Sequence, residues 1–102
     1  MIHWQLKIET ELQRVRREHH PGRVRTTARR IVGIALQRYE NRTDEDFLRL
    51  MHDALRNESL PEDVRSAIQR LAARIDENFS SPSIDPIADA MIVVGFVKES
   101  VA

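Results

Sequence analysis

The chain contains no cysteine. Disulfides, thiolate metal sites and cysteine nucleophiles are excluded, and an intracellular, cytoplasmic address is the default. Glycine is scarce: Gly22, Gly33 and Gly95 lie far apart and none follows a strand, so phosphate loops, nucleophile elbows and dinucleotide fingerprints have no material. Aromatic residues make up 5% of the chain, which leaves the core to aliphatic side chains. The longest apolar run, residues 90–97, spans eight positions, and a membrane helix needs about 20. Residues 1–12 alternate apolar and charged side chains and read as neither a signal nor a transit peptide. What remains is 102 residues, 41% hydrophobic and 31% charged. That composition fits one soluble, mostly helical domain over residues 1–102.

Apolar spacing divides the chain into five helical segments. Trp4, Ile8, Leu12, Val15 and His19 draw one stripe from about Ile2 to Glu18, closed by Pro21-Gly22. Val24, Ala28, Ile31, Ala35 and Tyr39, flanked by Val32, Ile34 and Leu36, make a second helix apolar over more than half its circumference, which marks it as central. Gly33 inside it costs about 1 kcal/mol against Ala, and close packing at Gly33 and Ala35 is the expected compensation. Asn41-Arg42 ends this helix, and Thr43, with Asp44, Glu45 and Asp46 behind it, reads as the N-cap of a third, whose inner face is Phe47, Leu50, Met51, Ala54 and Leu55. Ser59 and Glu62 fit a capping box with Pro61 in the first turn, and Val64, Ala67, Ile68, Leu71, Ile75 and Phe79 follow.

The fifth segment holds β-branched residues between Met91 and Val97 that in isolation read as a buried strand. Asp85-Pro86 is instead a good helix start, 16 residues from Pro86 to Val101 exceed most strands, and no second strand candidate exists to take up the hydrogen bonds. As a helix it carries Ile87, Met91, Val94, Val97 and Val101 on one face and Ala88, Ile92, Gly95 and Phe96 on another. The predicted fold is all-α, a compact bundle of four to five helices. Its strongly apolar last helix builds a homodimer interface through Ile87, Met91, Ile92, Val94, Gly95 and Phe96.

Charge is distributed unevenly. Residues 1–42 hold ten Lys and Arg against four acids, a net of +6, and the remainder holds six against twelve, a net of −6. Arg14, Arg16, Arg17, Arg23, Arg25, Arg29 and Arg30 face a single acid, Glu18, between positions 14 and 30. Two readings follow: a surface that binds RNA or another polyanion, or a basic half neutralised by an acidic one. Under the second, Arg14, Arg16 and Arg17 form a solvated face, and Arg29 and Arg30 pair with the acid-rich helices starting at Thr43 and Leu60. An acidic protein partner would serve the same charge.

Few chemistries remain. A bundle di-iron site needs Glu three residues before His, and the residues three before His19, His20 and His52 are Arg16, Arg17 and Arg49. No metal or cofactor is expected, and His19-His20 reads as a helix C-cap. Helix-turn-helix spacing fails at both Gly22, preceded four positions back by Glu18, and Gly33, preceded by Arg29. Trp4 and Tyr39 read as core anchors at helix ends, and His52, beside Asp53, as a surface residue.

One spacing is sharper. Arg14 and His19 have four residues between them at a helix end, where Arg could bind non-bridging phosphate oxygens and His could move a proton at a ribose 2′-hydroxyl. On that pair, on the helix Ala28 to Tyr39 and on the helical order, about two thirds of the chain resembles the HEPN domains, small helical bundles that dimerise. The resemblance implies RNA binding or cleavage with Arg14 and His19 catalytic, or partnership with a minimal nucleotidyltransferase. Here the Arg/His pair closes the first helix, whereas in that family it lies late in the domain. The leading expectation is a non-catalytic oligomerising module; the alternatives are the HEPN-like RNA-directed domain and a helical small-molecule binder.

Overall fold

Six consecutive buried residues, Ile31 to Leu36, mark the middle of the structure. They belong to α2 (Pro21–Glu40), around which the other four helices pack: α1 (Trp4–Arg14), α3 (Phe47–Leu55), α4 (Glu62–Ala72) and α5 (Pro86–Val101). The computed structural model describes residues 3–15, 20–43, 46–73 and 83–101, among which there is no strand. The result is an all-α five-helix bundle with a radius of gyration of 12.9 Å, close to the roughly 13 Å of a folded chain this long. Helix α2 touches each of the others, and α5 leans on both α2 and α4. No helix among the described residues is long and apolar enough to cross a membrane.

The core is aliphatic, as the shortage of aromatics requires. Ile8 of α1, Leu50 and Met51 of α3, Leu60 of the following loop, Ile68 and Leu71 of α4 and Val93, Val94 and Val97 of α5 are all buried in one core cluster with the inner residues of α2. Trp4 and Tyr39 pack on its edge as half-buried anchors, and Tyr39 meets Phe96 at 5.4 Å between ring centroids. Gly33 lets α3 come close: the ring of Phe47 occupies the space a Cβ at Gly33 would need. Asn41 ends α2 in the left-handed conformation at φ 54°, which Asn tolerates better than most residues.

Several helix boundaries differ from the sequence expectation, for local reasons. Helix α2 begins at Pro21 rather than beyond Gly22, because proline suits the first helical position and His20 caps it. The His20 side chain accepts a hydrogen bond from the Gly22 amide at 3.1 Å, so His20 is an N-cap of α2, not a C-cap of α1. Helix α1 stops at Arg14 with Val15 extended, short of Glu18. The cap of α3 is Asp46, whose carboxylate accepts from the Arg49 amide at 3.1 Å, rather than Thr43. The capping box at Ser59 and Glu62 does not form: Pro61 stands at the N-cap, where it has no acceptor side chain, and the Ser59 amide turns to the Asn57 side chain. Helix α4 ends at Ala72; Ile75 and Phe79 lie outside the described residues. Asp85 does cap α5, accepting from the Ala88 amide at 3.1 Å.

Candidate functional site

The arginine-rich segment occupies the end of α1 and the first half of α2. Arg14 is exposed at the last position of α1, and Arg23 and Arg30 are exposed on α2. Glu11 joins two of them, with its carboxylate 3.6 Å from both Arg14 and Arg30. Arg30 therefore pairs with α1, not with the acid-rich helices. Arg29 also departs from that expectation, since it turns to backbone rather than to an acid. Its guanidinium donates to the Leu71 carbonyl at 2.6 Å and the Ala73 carbonyl at 3.1 Å, closing the negative end of α4. Burial, and then the neighbouring charge of Arg25, pull the Arg29 pKa below its ordinary value. Arg25 is half-buried. Arg16, Arg17 and His19 lie outside the described residues, so the Arg14–His19 pair is placed on one side only.

The two charged halves meet at one described ion pair. Arg42 at the end of α2 reaches Asp53 of α3 at 2.9 Å and also Glu40 at 3.1 Å. The other described pairs stay within a half: Arg14 and Arg30 with Glu11, and Arg70 with Asp89. Beside Arg14, Arg23 and Arg30 opens a cleft of about 280 Å³ whose remaining lining is Gly22, Thr26 and Thr27. The arginine spacing pointed to this face, but nothing in the sequence singles out Thr27 or Glu11.

The carboxylate with a shifted pKa among the described residues lies elsewhere and is structural. Asp89, 7% exposed on α5, accepts two hydrogen bonds from Arg70 at 2.7 and 3.1 Å and one from the Ser83 hydroxyl at 2.6 Å. Burial pulls its pKa upward, but the bonds from Arg70 and Ser83 and the charge of Arg70 outweigh it and hold the carboxyl below its ordinary value. His52 is exposed on α3, as its place in the sequence suggested. No group of three His, Asp or Glu side chains among the described residues could hold a metal ion.

The last helix divides its apolar residues between two environments. Val93, Val94 and Val97 turn inward, so Val94 belongs to the protein's own core and drops out of the expected interface. Ile87 and Phe96 are half-buried on the core's edge. Met91 and Ile92 stand outward at 36% and 37% exposure, and a Cβ added at the exposed Gly95 would meet nothing within 4 Å. Ala88 extends the same strip, and Ile84, in the bend before α5, is fully solvated. The positions 88, 91, 92 and 95 fall at helical spacing, a signal present in the sequence but masked there by the equally apolar inner face.

No protein-family model, curated protein or solved structure matches this chain.

Proposed function

We propose that this chain is a small helical interaction module that acts by association rather than catalysis, as a homodimer joined across the outward strip of α5. The observation that carries this reading is the strip itself: Met91 and Ile92 exposed in line with Ala88 and Gly95 on a helix whose opposite face is locked into the core. A row of large aliphatic side chains flanked by small residues suits close helix contact, and a two-fold axis buries each of them twice. A cysteine-free chain of this kind suits the cytoplasm. Light scattering tests the assembly. The wild type is expected at twice its 11.9 kDa mass at tens of micromolar, and Ile92→Lys at the monomer mass with its helicity intact. A wild-type monomer at about 100 μM, the range where even weak specific dimers form, would sink the reading.

A second reading, binding of RNA by the basic half, is favoured by the scarcity of charge pairing between the halves, which Arg42–Asp53 alone provides among the described residues. It includes the HEPN-like form, in which Arg14 and His19 cleave the strand. Titration with a fluorescent single-stranded RNA at about 50 and 200 mM salt tests both, because phosphate contacts weaken steeply with salt and cleavage is visible in the same samples. Binding indifferent to salt, or none at the lower concentration, would return the arginines to a solvated face.

A further inference from the structure

The cleft between the end of α1 and the start of α2 combines features that a solvated arginine face does not require. Three guanidinium-bearing side chains, Arg14, Arg23 and Arg30, line it, and no carboxylate does among the described residues. The Arg23 side chain has no hydrogen-bond or ion-pair partner among the described residues. Arg14 and Arg30 each stand 3.6 Å from Glu11, near enough to be held together by charge but too far for good hydrogen bonds. Their N–H donors thus remain available while their positions are constrained. Glu11 is itself mostly covered, its side chain 12% exposed, and its Oε2 is buried with no hydrogen-bond partner.

The two threonines of the lining differ in their bonding. A helical threonine commonly satisfies its hydroxyl on the carbonyl one turn back, and Thr26 does so, donating to Gly22 at 2.9 Å. Thr27, next to it and 9% exposed, has no such bond although it lines the same cleft. The Thr27 hydroxyl is not closed off from solvent, which leaves it an accessible donor at the cleft wall. The helix terminus is not what draws a ligand here, because His20 already takes the amides of Gly22, Arg23 and Val24.

We propose that this cleft seats a phosphate group, held by Arg14, Arg23 and Arg30 and by the Thr27 hydroxyl. The inference deepens the reading of the basic half as an anion-binding surface and rests on it. Three arginines against Glu11 leave a surplus of positive charge suited to a phosphate oxyanion, and the guanidinium fork matches its oxygens two at a time. Among the described residues the lining holds no aromatic or large apolar side chain, so the seat reads the phosphate and not a base. A free phosphate or monoester and the backbone of a single-stranded nucleic acid present the same chemistry.

The test is titration of the whole protein with inorganic phosphate at about 50 mM salt, where charge is only partly screened, following arginine side-chain and backbone amide resonances by NMR. Arg14, Arg23, Arg30 and Thr27 are expected to shift together and saturate, while the exposed Arg56 stays still. Arg23→Gln is expected to weaken binding about tenfold, the scale of one lost charge-assisted contact, and the near-isosteric Thr27→Val severalfold. A parallel arm adds single-stranded oligouridylate. Competition with phosphate at these resonances assigns the seat to a nucleic-acid backbone; phosphate binding without competition assigns it to a free phosphate or monoester. Shifts that never saturate, or that Arg56 shares, overturn the proposal. So does salt-sensitive RNA binding left unchanged by both variants, an outcome that keeps the basic-half reading and removes the seat.

Discussion

Arg70 and Asp89 form a two-pronged contact, 2.7 and 3.1 Å, that ties α4 to α5 at a carboxylate only 7% exposed. Ser83 adds a third bond from the segment that leads into α5. Since the folded state holds the Asp89 carboxyl below its ordinary value, the unfolded chain binds its proton more readily. The stabilisation is therefore complete above about pH 4, the unfolded carboxyl's range, and is lost as the pH falls below it. Asp89→Asn is expected to lower stability at pH 7 by about 1–2 kcal/mol, the scale of a charge-assisted hydrogen bond, and to flatten the acid limb of the urea-midpoint profile. Parallel profiles for the two proteins between pH 7 and 2.5 would show that Asp89 does not carry the acid sensitivity.

Gly33 faces Phe47 so closely that an added methyl group has no room. Helix propensity alone favours Gly33→Ala by about 1 kcal/mol, whereas forcing the Phe47 ring aside in a packed contact costs about 1–3 kcal/mol. Net destabilisation is the expected outcome in chemical denaturation, with partial recovery in the double variant Gly33→Ala, Phe47→Leu. A stabilised single variant would mean that α3 shifts away without penalty.

Arg29 holds the end of α4 through the carbonyls of Leu71 and Ala73. Arg29→Met keeps the aliphatic stem and removes both bonds, which is expected to cost about 1–3 kcal/mol. Arg29→Lys restores the charge but not the fork, so it should recover only part of the loss. Equal stability of the Lys variant and the wild type would reduce the contact to simple attraction by the helix dipole.

These contacts also mark what the sequence could and could not convey. Helix existence and inner faces followed from spacing: Leu50, Met51 and Ala54 on α3 and Val64, Ala67, Ile68 and Leu71 on α4 are buried as their periodicity predicts. The strand-like run from Met91 to Val97 resolves as helix because Asp85-Pro86 starts one, and no strand stands beside it among the described residues. Boundaries were harder, since several residues near each end could cap: His20, Asp46 and Pro61 took positions that His19-His20, Thr43 and Ser59 had suggested differently. Partners of charged residues were least legible. Arg29 chose backbone carbonyls and Arg30 chose Glu11, choices fixed by how helices cross rather than by charge along the chain. On α5 the inner and outer faces are equally apolar in sequence, so only packing reveals that Val94 is core and Ile92 is surface.

Gly95 separates the stability of the single chain from its association. It lies inside α5, exposed, with nothing within 4 Å of the position its Cβ would take. In an isolated chain Gly95→Ala removes a flexible residue from a helix interior and meets no obstacle, so stability should rise by about 0.5–1 kcal/mol. For a domain of this size that corresponds to a melting point higher by about 2–8 °C, measured at low micromolar concentration where a weak dimer is dissociated. If two copies pack across the strip, the small side chains at Ala88 and Gly95 are what allow the helices to approach, and an added methyl group pushes them apart. The same variant should then weaken dimerisation in sedimentation equilibrium even as the monomer melts later. Opposite signs for the two effects would place Gly95 at the contact; a more stable monomer with unchanged association would leave the strip as surface or move the contact elsewhere on the chain.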